Sequence, residues 1–260
     1  MPFDGVGNAL LALALTLPRV IGAFVMLPLL TSQNIPAMVR NSFLVSLAVV
    51  ALPIAMAGAP IDAMGAPMWP VIVLKEIFLG MAIGFCFGMV FWAIGAAGNL
   101  MDSQVGMAMA SIFDPIQGHQ AAPHGQFLSQ LAAWLFMASG AFLIFLDLLL
   151  SSYALWPVMS YFPQIQAEGR ELFIGQFSYL MTALLVMASP ALILLLLVDL
   201  SFGLVNRYAP QLNVFALTLP IKAWVATGMI LLLMGVYVEM VLKKLGENRA
   251  LLEVLNRVFS

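Results

Sequence analysis

The sequence predicts an all-α integral membrane protein of about six long hydrophobic helices, several of them broken by proline or glycine. Two observations of composition and one of arrangement carry that prediction. Of the 260 residues, 63% are hydrophobic and 8% charged, against roughly 45–50% and about 25% in ordinary soluble domains. Ten basic and twelve acidic side chains cannot clothe a soluble fold of this length, so the surplus apolar surface must face lipid or other hydrophobic subunits. The apolar residues are also gathered into long runs, and the mean hydropathy is +1.05. No basic patch points to nucleic acid. The single cysteine, Cys86, excludes a disulfide within the chain and reads as a packed small hydrophobe. The start of the chain, with Asp4 and no Lys/Arg-rich stretch, does not read as a signal peptide.

Crossing a hydrocarbon core of ~30 Å takes about 20 apolar residues in a helix. Six stretches approach that length: Ala9–Leu30, Ser42–Ala57, Val71–Gly98, Phe127–Leu150, Leu172–Val198 and Val214–Leu242. The second is short, and the third and sixth are long enough to tilt or to extend past the bilayer. The connections between them are Thr31–Asn41, Gly58–Pro70, Asn99–Gln126, Ser151–Glu171 and Asp199–Asn213. The organisation is one hydrophobic helical domain over 1–242 and an amphipathic tail over 243–260.

Charges within the apolar runs qualify a simple lipid-facing bundle. Arg19 follows Pro18 in the middle of the first stretch, Lys75 and Glu76 open the third, Asp147 closes the fourth, and Lys222 lies in the sixth. A charge at membrane depth normally faces a protein interior or a wet cavity. Asp147 and Lys222 read as terminal or snorkelling positions, whereas Arg19 reads as interior. Lys75 and Glu76 are neighbours and point in different directions on a helix, which argues against a simple mutual pair. Prolines at 18, 28, 36, 53, 157, 163, 190, 210 and 220 imply broken or kinked helices whose freed backbone groups need partners inside protein. An assembly subunit fits these features better than an isolated bundle.

Gly80, Gly84 and Gly88 recur every four residues, so they share one helix face on which another backbone can approach closely. The connection Asn99–Gln126 is long and too apolar for disorder, carrying Met101, Met107, Met109, Ile112 and Phe113. Flexible methionines suit a deformable seal, and a static re-entrant segment has the same composition. His119 and His124 lack the further ligands of a metal site, and no metal or other cofactor is expected. The junction from Asp199 to Asn213 is polar between two very apolar stretches. Arg207 there has five donors for carbonyls or a carboxylate, but Asp199 is two turns away, too far for a direct pair on one straight helix. A capped, kinked hairpin accounts for this junction as well as a ligand site does. The tail Glu239–Ser260 repeats Leu245, Leu252 and Phe259 every seven residues and is predicted to dock on a partner or the membrane surface. Its Lys243, Lys244, Arg249 and Arg257 place the C-terminus in the cytoplasm. The motifs HExxH, GxSxG, Walker A and GxGxxG are missing, so no enzyme is expected.

The block Asn206-Arg207-Tyr208-Ala209-Pro210-Gln211-Leu212-Asn213-Val214-Phe215, followed by Leu219-Pro220-Ile221-Lys222, resembles the signature of the FliR/SctT export-apparatus proteins of flagellar and injectisome type III secretion. Met101–Gly106, Phe113-Asp114-Pro115 and the early Pro18-Arg19 are also similar to that family, and the likeness covers nearly the whole chain. The Tyr208 version of the block and its LPIK ending look more like the injectisome T component.

The resemblance implies a bacterial inner-membrane protein that assembles with R and S components into a helical cone. That cone is the portal for unfolded exported proteins, and a U component wraps its cytoplasmic end. It further implies that Val105–Gln126 plugs the pore, with Met107, Met109, Ile112 and Phe113 as gasket residues. Asn206, Arg207, Pro210, Gln211, Asn213 and Lys222 would then form a structural hinge. A secondary transporter using Arg207 and Asp199 near the bilayer midplane is the alternative reading.

Overall fold

A computed structural model of the chain describes residues 2–30, 35–56, 68–107, 122–160, 167–211 and 213–248, to which all structural statements refer. Among them seven α-helices follow one another: α1 (Pro2–Met26), α2 (Ala37–Met56), α3 (Trp69–Val105), α4 (Pro123–Ala138), α5 (Ala141–Leu155), α6 (Ala167–Tyr208) and α7 (Val214–Glu247). Four stretches are long and apolar enough to cross a membrane: Ala37–Ala55, Trp69–Val105, Gly169–Tyr208 and Ala216–Glu247. The interrupted pair α4 and α5 makes a fifth if it counts as one span. The chain is therefore an all-α, multi-pass membrane protein.

Several boundaries differ from the hydropathy reading. The stretch Phe127–Leu150 is two helices, because Gly140 adopts a φ of +75° that only glycine takes without strain. The third and fifth stretches continue as helix well beyond their apolar parts, to Val105 and Tyr208. Residues 99–105 and 199–208 are thus helical, not loop. Nothing in Asn-Leu-Met-Asp-Ser-Gln-Val breaks a helix; polarity there reports a change of surroundings. The described part of the tail ends at Asn248 as a continuation of α7, and 249–260 lie outside the described residues.

The chain divides into two compact units, Met1–Met89 with Ser139–Gln176 and Leu245–Ser260, and Val90–Ala138 with Phe177–Lys244. In the first, α1 packs along α2 and α2 touches α5. Phe24 of α1 meets Phe43 and Phe145 edge-on, and Phe145 also meets Phe87, with centroids 5.3–5.6 Å apart. Gly80 and Gly84 lie against α1. A Cβ on Gly80 would strike the Arg19 carbonyl, and one on Gly84 the Ala23 carbonyl. From the other side, a Cβ on Gly22 would sit 2.6 Å from the Ile77 carbonyl oxygen. Gly88 is buried further along α3.

That close approach brings Arg19 to Glu76. Nε donates to Oε2 at 2.6 Å and Nη2 to Oε1 at 2.9 Å, a bidentate pair fully buried on both sides. The guanidinium also donates to the Ser152 hydroxyl (3.0 Å) and the Trp156 carbonyl (2.8 Å), and it lies 4.2 Å over the Tyr153 ring. Lys75 is buried too. Its ammonium is 3.1 Å from Glu76 Oε1 and donates to the carbonyls of Pro157, Val158 and Ser160 at 2.7–3.2 Å. Sequence neighbours do share a pair here, because both reach the same side of α3 with a third charge, Arg19, between helices. Asp147, by contrast, is exposed.

In the second unit Phe91 stacks edge-on with Phe136, centroids 5.2 Å apart. Pro190 of α6 has no N–H for the Val186 carbonyl; the Ser189 hydroxyl donates to that carbonyl instead, at 3.2 Å. Beside it, the Tyr237 hydroxyl of α7 donates to the Met187 carbonyl at 2.9 Å. The carbonyl that the proline frees thus finds its donor within the unit.

Two outcomes test this packing. Glu76→Gln leaves the Arg19 charge buried and unmatched, which should cost about 3–5 kcal/mol, whereas exposed Asp147→Asn should stay within about 0.5 kcal/mol. Thermal denaturation of the purified variants compares them, and equal losses would remove the special standing of Arg19. Gly84→Leu forces α1 away from α3 and should cost roughly 1–3 kcal/mol or more; an unchanged melting curve would show that this contact is slack.

Candidate functional site

The polar side chains of the second unit gather where α3 ends, α4 begins, and α6 gives way to α7. α3 stops at Gly106, whose φ of +96° ends the helix and whose N–H bonds the carbonyls of Asp102 and Ser103, both at 3.2 Å. Val105 packs into a small core with Leu195 of α6 and Ala226 of α7, and Met107 lies against that core. Leu219 closes over Gly106, where any added Cβ would meet its Cδ2 at 2.8 Å.

Asp199 of α6 links three helices. Its Oδ1 is 2.8 Å from Lys222 Nζ on α7, and its Oδ2 accepts from Gln104 Nε2 of α3 at 3.1 Å. Lys222 is 9% exposed and Asp199 35%. Lys222 is therefore a buried, paired charge, not the snorkelling terminus its sequence position suggested. A recess of about 480 Å³ opens beside this pair, lined by Gly106, Phe202, Asn206, Asn213, Thr218 and Leu219 among others. Asn213 caps α7, its Oδ1 accepting from the Ala216 N–H at 3.3 Å.

Of the hinge residues named from sequence, Asn206, Asn213 and Lys222 line this one recess. Arg207, Pro210 and Gln211 are exposed at the α6–α7 junction. Arg207 sits in the last turn of α6, where a cation complements the carbonyl end of the helix. Met107 is partly buried at the end of α3. Met109, Ile112 and Phe113 lie outside the described residues, as does His119.

His124 is no loop residue. It sits in the first turn of α4, 8% exposed, and its Nδ1 lies 2.6 Å from Oδ1 of Asp102, itself 3% exposed. The backbone N–H groups of His124 and Gly125 donate to the same carboxylate at 3.3 and 2.9 Å. His124 Nε2 is 3.0 Å from the Thr227 hydroxyl of α7. Sequence reading passed over Gln104 and Thr227 and gave Asp102 no role. One signal was present: the residues before Pro123 are Ala121 and Ala122, which offer no side-chain cap, so the α4 amides needed an acceptor from elsewhere. Among the described residues no three His, Cys, Asp or Glu side chains converge as a metal would require.

Long apolar helices whose buried charges are matched internally define a multi-pass membrane protein with a polar helix junction in its second unit. The sequence assigns it further: residues 10–247 match the family model described as bacterial export proteins, family 1, and the chain belongs to that family. It is 39% identical over 225 residues to "Yop proteins translocation protein T" of Yersinia pestis, covering 86% of each chain. Identity is 34% over 227 residues to the secretion system apparatus protein SsaT of Salmonella typhimurium, covering 84% of this chain and 85% of that one. It is 31% over 226 residues to the flagellar biosynthetic protein FliR of Bacillus subtilis, covering 86% of each.

The Asp199–Lys222 pair generates a test. Asp199→Ala leaves Lys222 unmatched and should cost about 1–2 kcal/mol, between the limits for surface and buried pairs. Exchanging the two charges, Asp199→Lys with Lys222→Asp, should restore most of the loss. Melting of the purified variants reads it, and an exchange no better than the single change would mean the pairing is incidental.

Proposed function

We propose that this chain is a subunit of the type III secretion export gate. With R and S components it builds the inner-membrane portal for unfolded proteins, with a U component at the cytoplasmic end. Membership of the bacterial export family over residues 10–247 carries this reading. The greater identity to the Yop translocation relative than to the flagellar one, 39% against 31%, favours the injectisome branch.

The geometry supports it in two ways. The buried charges are matched inside each unit, and α6 and α7 present large exposed apolar side chains such as Ile193, Leu204, Trp224 and Leu232. Faces of this kind suit lipid and sister subunits alike. The segment that begins at Met107 joins two firmly held helix ends, as a plug must if it is to return after each passing chain. Met107, Met109, Ile112 and Phe113 are its gasket residues in this reading, since flexible apolar side chains exclude water and ions yet deform. Lys243 and Lys244 put the end of α7 on the cytoplasmic side. The transporter alternative loses its proposed pair: Asp199 is taken by Lys222, and Arg207 is exposed.

The test uses the assembled complex. Gently solubilised protein should co-purify with small hydrophobic partners, and deleting Met107–Phe113 should raise the resting ion leak of membranes that contain the complex. A well-behaved solitary protein that moves a solute, or a deletion that leaves the membrane tight, counts against the gate.

A further inference from the structure

We infer that the recess between the end of α1 and the start of α2 holds an anionic phospholipid, with Arg40 and Asn41 at its phosphate and the apolar side chains beside them along an acyl chain. The recess lies wholly in the first unit and is independent of the export role. Its volume is about 480 Å³, and Ile21, Phe24, Val25, Leu27 and Leu44 line it together with Arg40 and Asn41.

Charge identifies the head group. Five of the described cations are at least partly buried: Arg19, Arg40, Lys75, Lys222 and Lys244. Four of them are matched within the protein. Arg19 and Lys75 share Glu76, Lys222 has Asp199, and Lys244 lies 4.4 Å over the Tyr179 ring. The Arg40 guanidinium has no such partner among the described residues, although its backbone is held, the N–H donating to the Pro36 carbonyl at 3.1 Å. α2 carries no acidic residue at all. A guanidinium placed like this beside an apolar recess calls for an anion, and its planar fork fits two oxygens of a phosphate. The first turn of α2 adds the positive end of a helix dipole, with no acidic side chain there to offset it.

Position identifies the amphiphile. The span Ala37–Ala55 has 19 residues, about 28 Å at the helical rise and close to the ~30 Å of a hydrocarbon core. Arg40 is its fourth residue, roughly 5 Å from one end, a depth from which an arginine reaches the phosphate layer by snorkelling. Of the four long apolar spans, this one is the least covered by the rest of the protein. Within the recess Phe24, Leu27 and Leu44 are buried, and Phe24 meets Phe43 and Phe145 edge-on, so the floor is firm. Ile21 and Val25 are 39% and 65% exposed, so the flank is open. A chain lying there exchanges one apolar surrounding for another and gains little from the hydrophobic effect. Selection among lipids then falls to the head group, and basic pockets between membrane helices take anionic ones. A carboxylate from another protein matches the charge alone, whereas a phospholipid matches the charge and the adjoining recess together.

A benzophenone amino acid in place of Val25 reads the occupant directly. The full chain, and then the assembled complex, is placed in vesicles of phosphatidylcholine and phosphatidylglycerol with identical chains in equal amounts. Photolabelling should favour phosphatidylglycerol about fivefold. Arg40→Gln should bring the two lipids to parity, and Arg40→Lys, which keeps the charge without the fork, should retain part of the preference. Equal labelling of the two lipids with Arg40 in place overturns the site, as does a preference that Arg40→Gln leaves untouched. Labelling of protein instead of lipid in the complex also overturns it, because the recess is then a subunit interface. Loss of the preference on adding inorganic phosphate does the same, because the ligand is then a free anion. Should Arg40→Gln fail to fold, neutral diacylglycerol with the same chains replaces the variant. Weak labelling of diacylglycerol supports the head-group contact, and labelling equal to that of phosphatidylglycerol refutes it.

Discussion

Burying the Arg19 guanidinium within so apolar a set of helices leaves its neighbours little freedom. A desolvated charge carries a penalty of several kcal/mol, repaid only by good geometry and a full set of hydrogen bonds. Those partners come from three places: the Glu76 carboxylate on α3, and the Ser152 hydroxyl and Trp156 carbonyl at the end of α5. Together they fix the registers of α3 and α5 against α1. The glycines at 22, 80 and 84 follow from the same requirement, since only close backbones bring a side chain from α1 into bidentate reach of α3. Lys75 then compensates on the other side of Glu76 and secures the carbonyls after α5. One charge thereby organises most of the first unit.

The second unit repeats the strategy with smaller stakes. Asp102 is matched by amides and a histidine, Asp199 by a lysine and a glutamine; the first bridge joins α3 to α4, and the second joins α3 and α7 through α6. Matching these charges inside the protein spares the outer surfaces their desolvation cost. Assembly of such surfaces depends on shape and apolar contact. Specificity of the internal register depends on the charges. The two tasks are divided between different residues, which lets the middle of α6 and α7 present large apolar side chains such as Ile193, Leu197 and Leu232 outward.

How much of this was legible in the sequence differs from feature to feature. The helical membrane class followed from composition, and the interior position of Arg19 followed from its apolar flanks. The glycine spacing gave a packing face, although not that α1 of the same chain would occupy it. Helix ends were read poorly. Hydropathy marks where surroundings turn polar, and α3 and α6 carry on through that change to Val105 and Tyr208. Lys222 was misjudged for a related reason. Its place near a helix start implied an exit to water, but its partner Asp199 stands on another helix, and no local pattern encodes that pairing. The split at Gly140 was also invisible, because a glycine inside an apolar run looks like any other membrane glycine until its φ is known. Asp102 and His124 were both set aside as loop residues, whereas Asp102 stands in the last turns of α3 and His124 in the first turn of α4.

That last error is instructive about gates. A segment that must yield to a passing chain and then reseat needs two properties that oppose one another in any single residue. Its own side chains must deform, which methionine provides through unbranched, polarizable geometry. Its ends must not wander, which methionine cannot provide. In this chain a carboxylate stands one turn before Gly106 and its three donors stand in the first turn of α4, so the directional bonds stay in the helices, where the Gly98–Gly125 contact fixes their distances. Residues that hydropathy assigns to the margins of a connection thus carry its directional contacts.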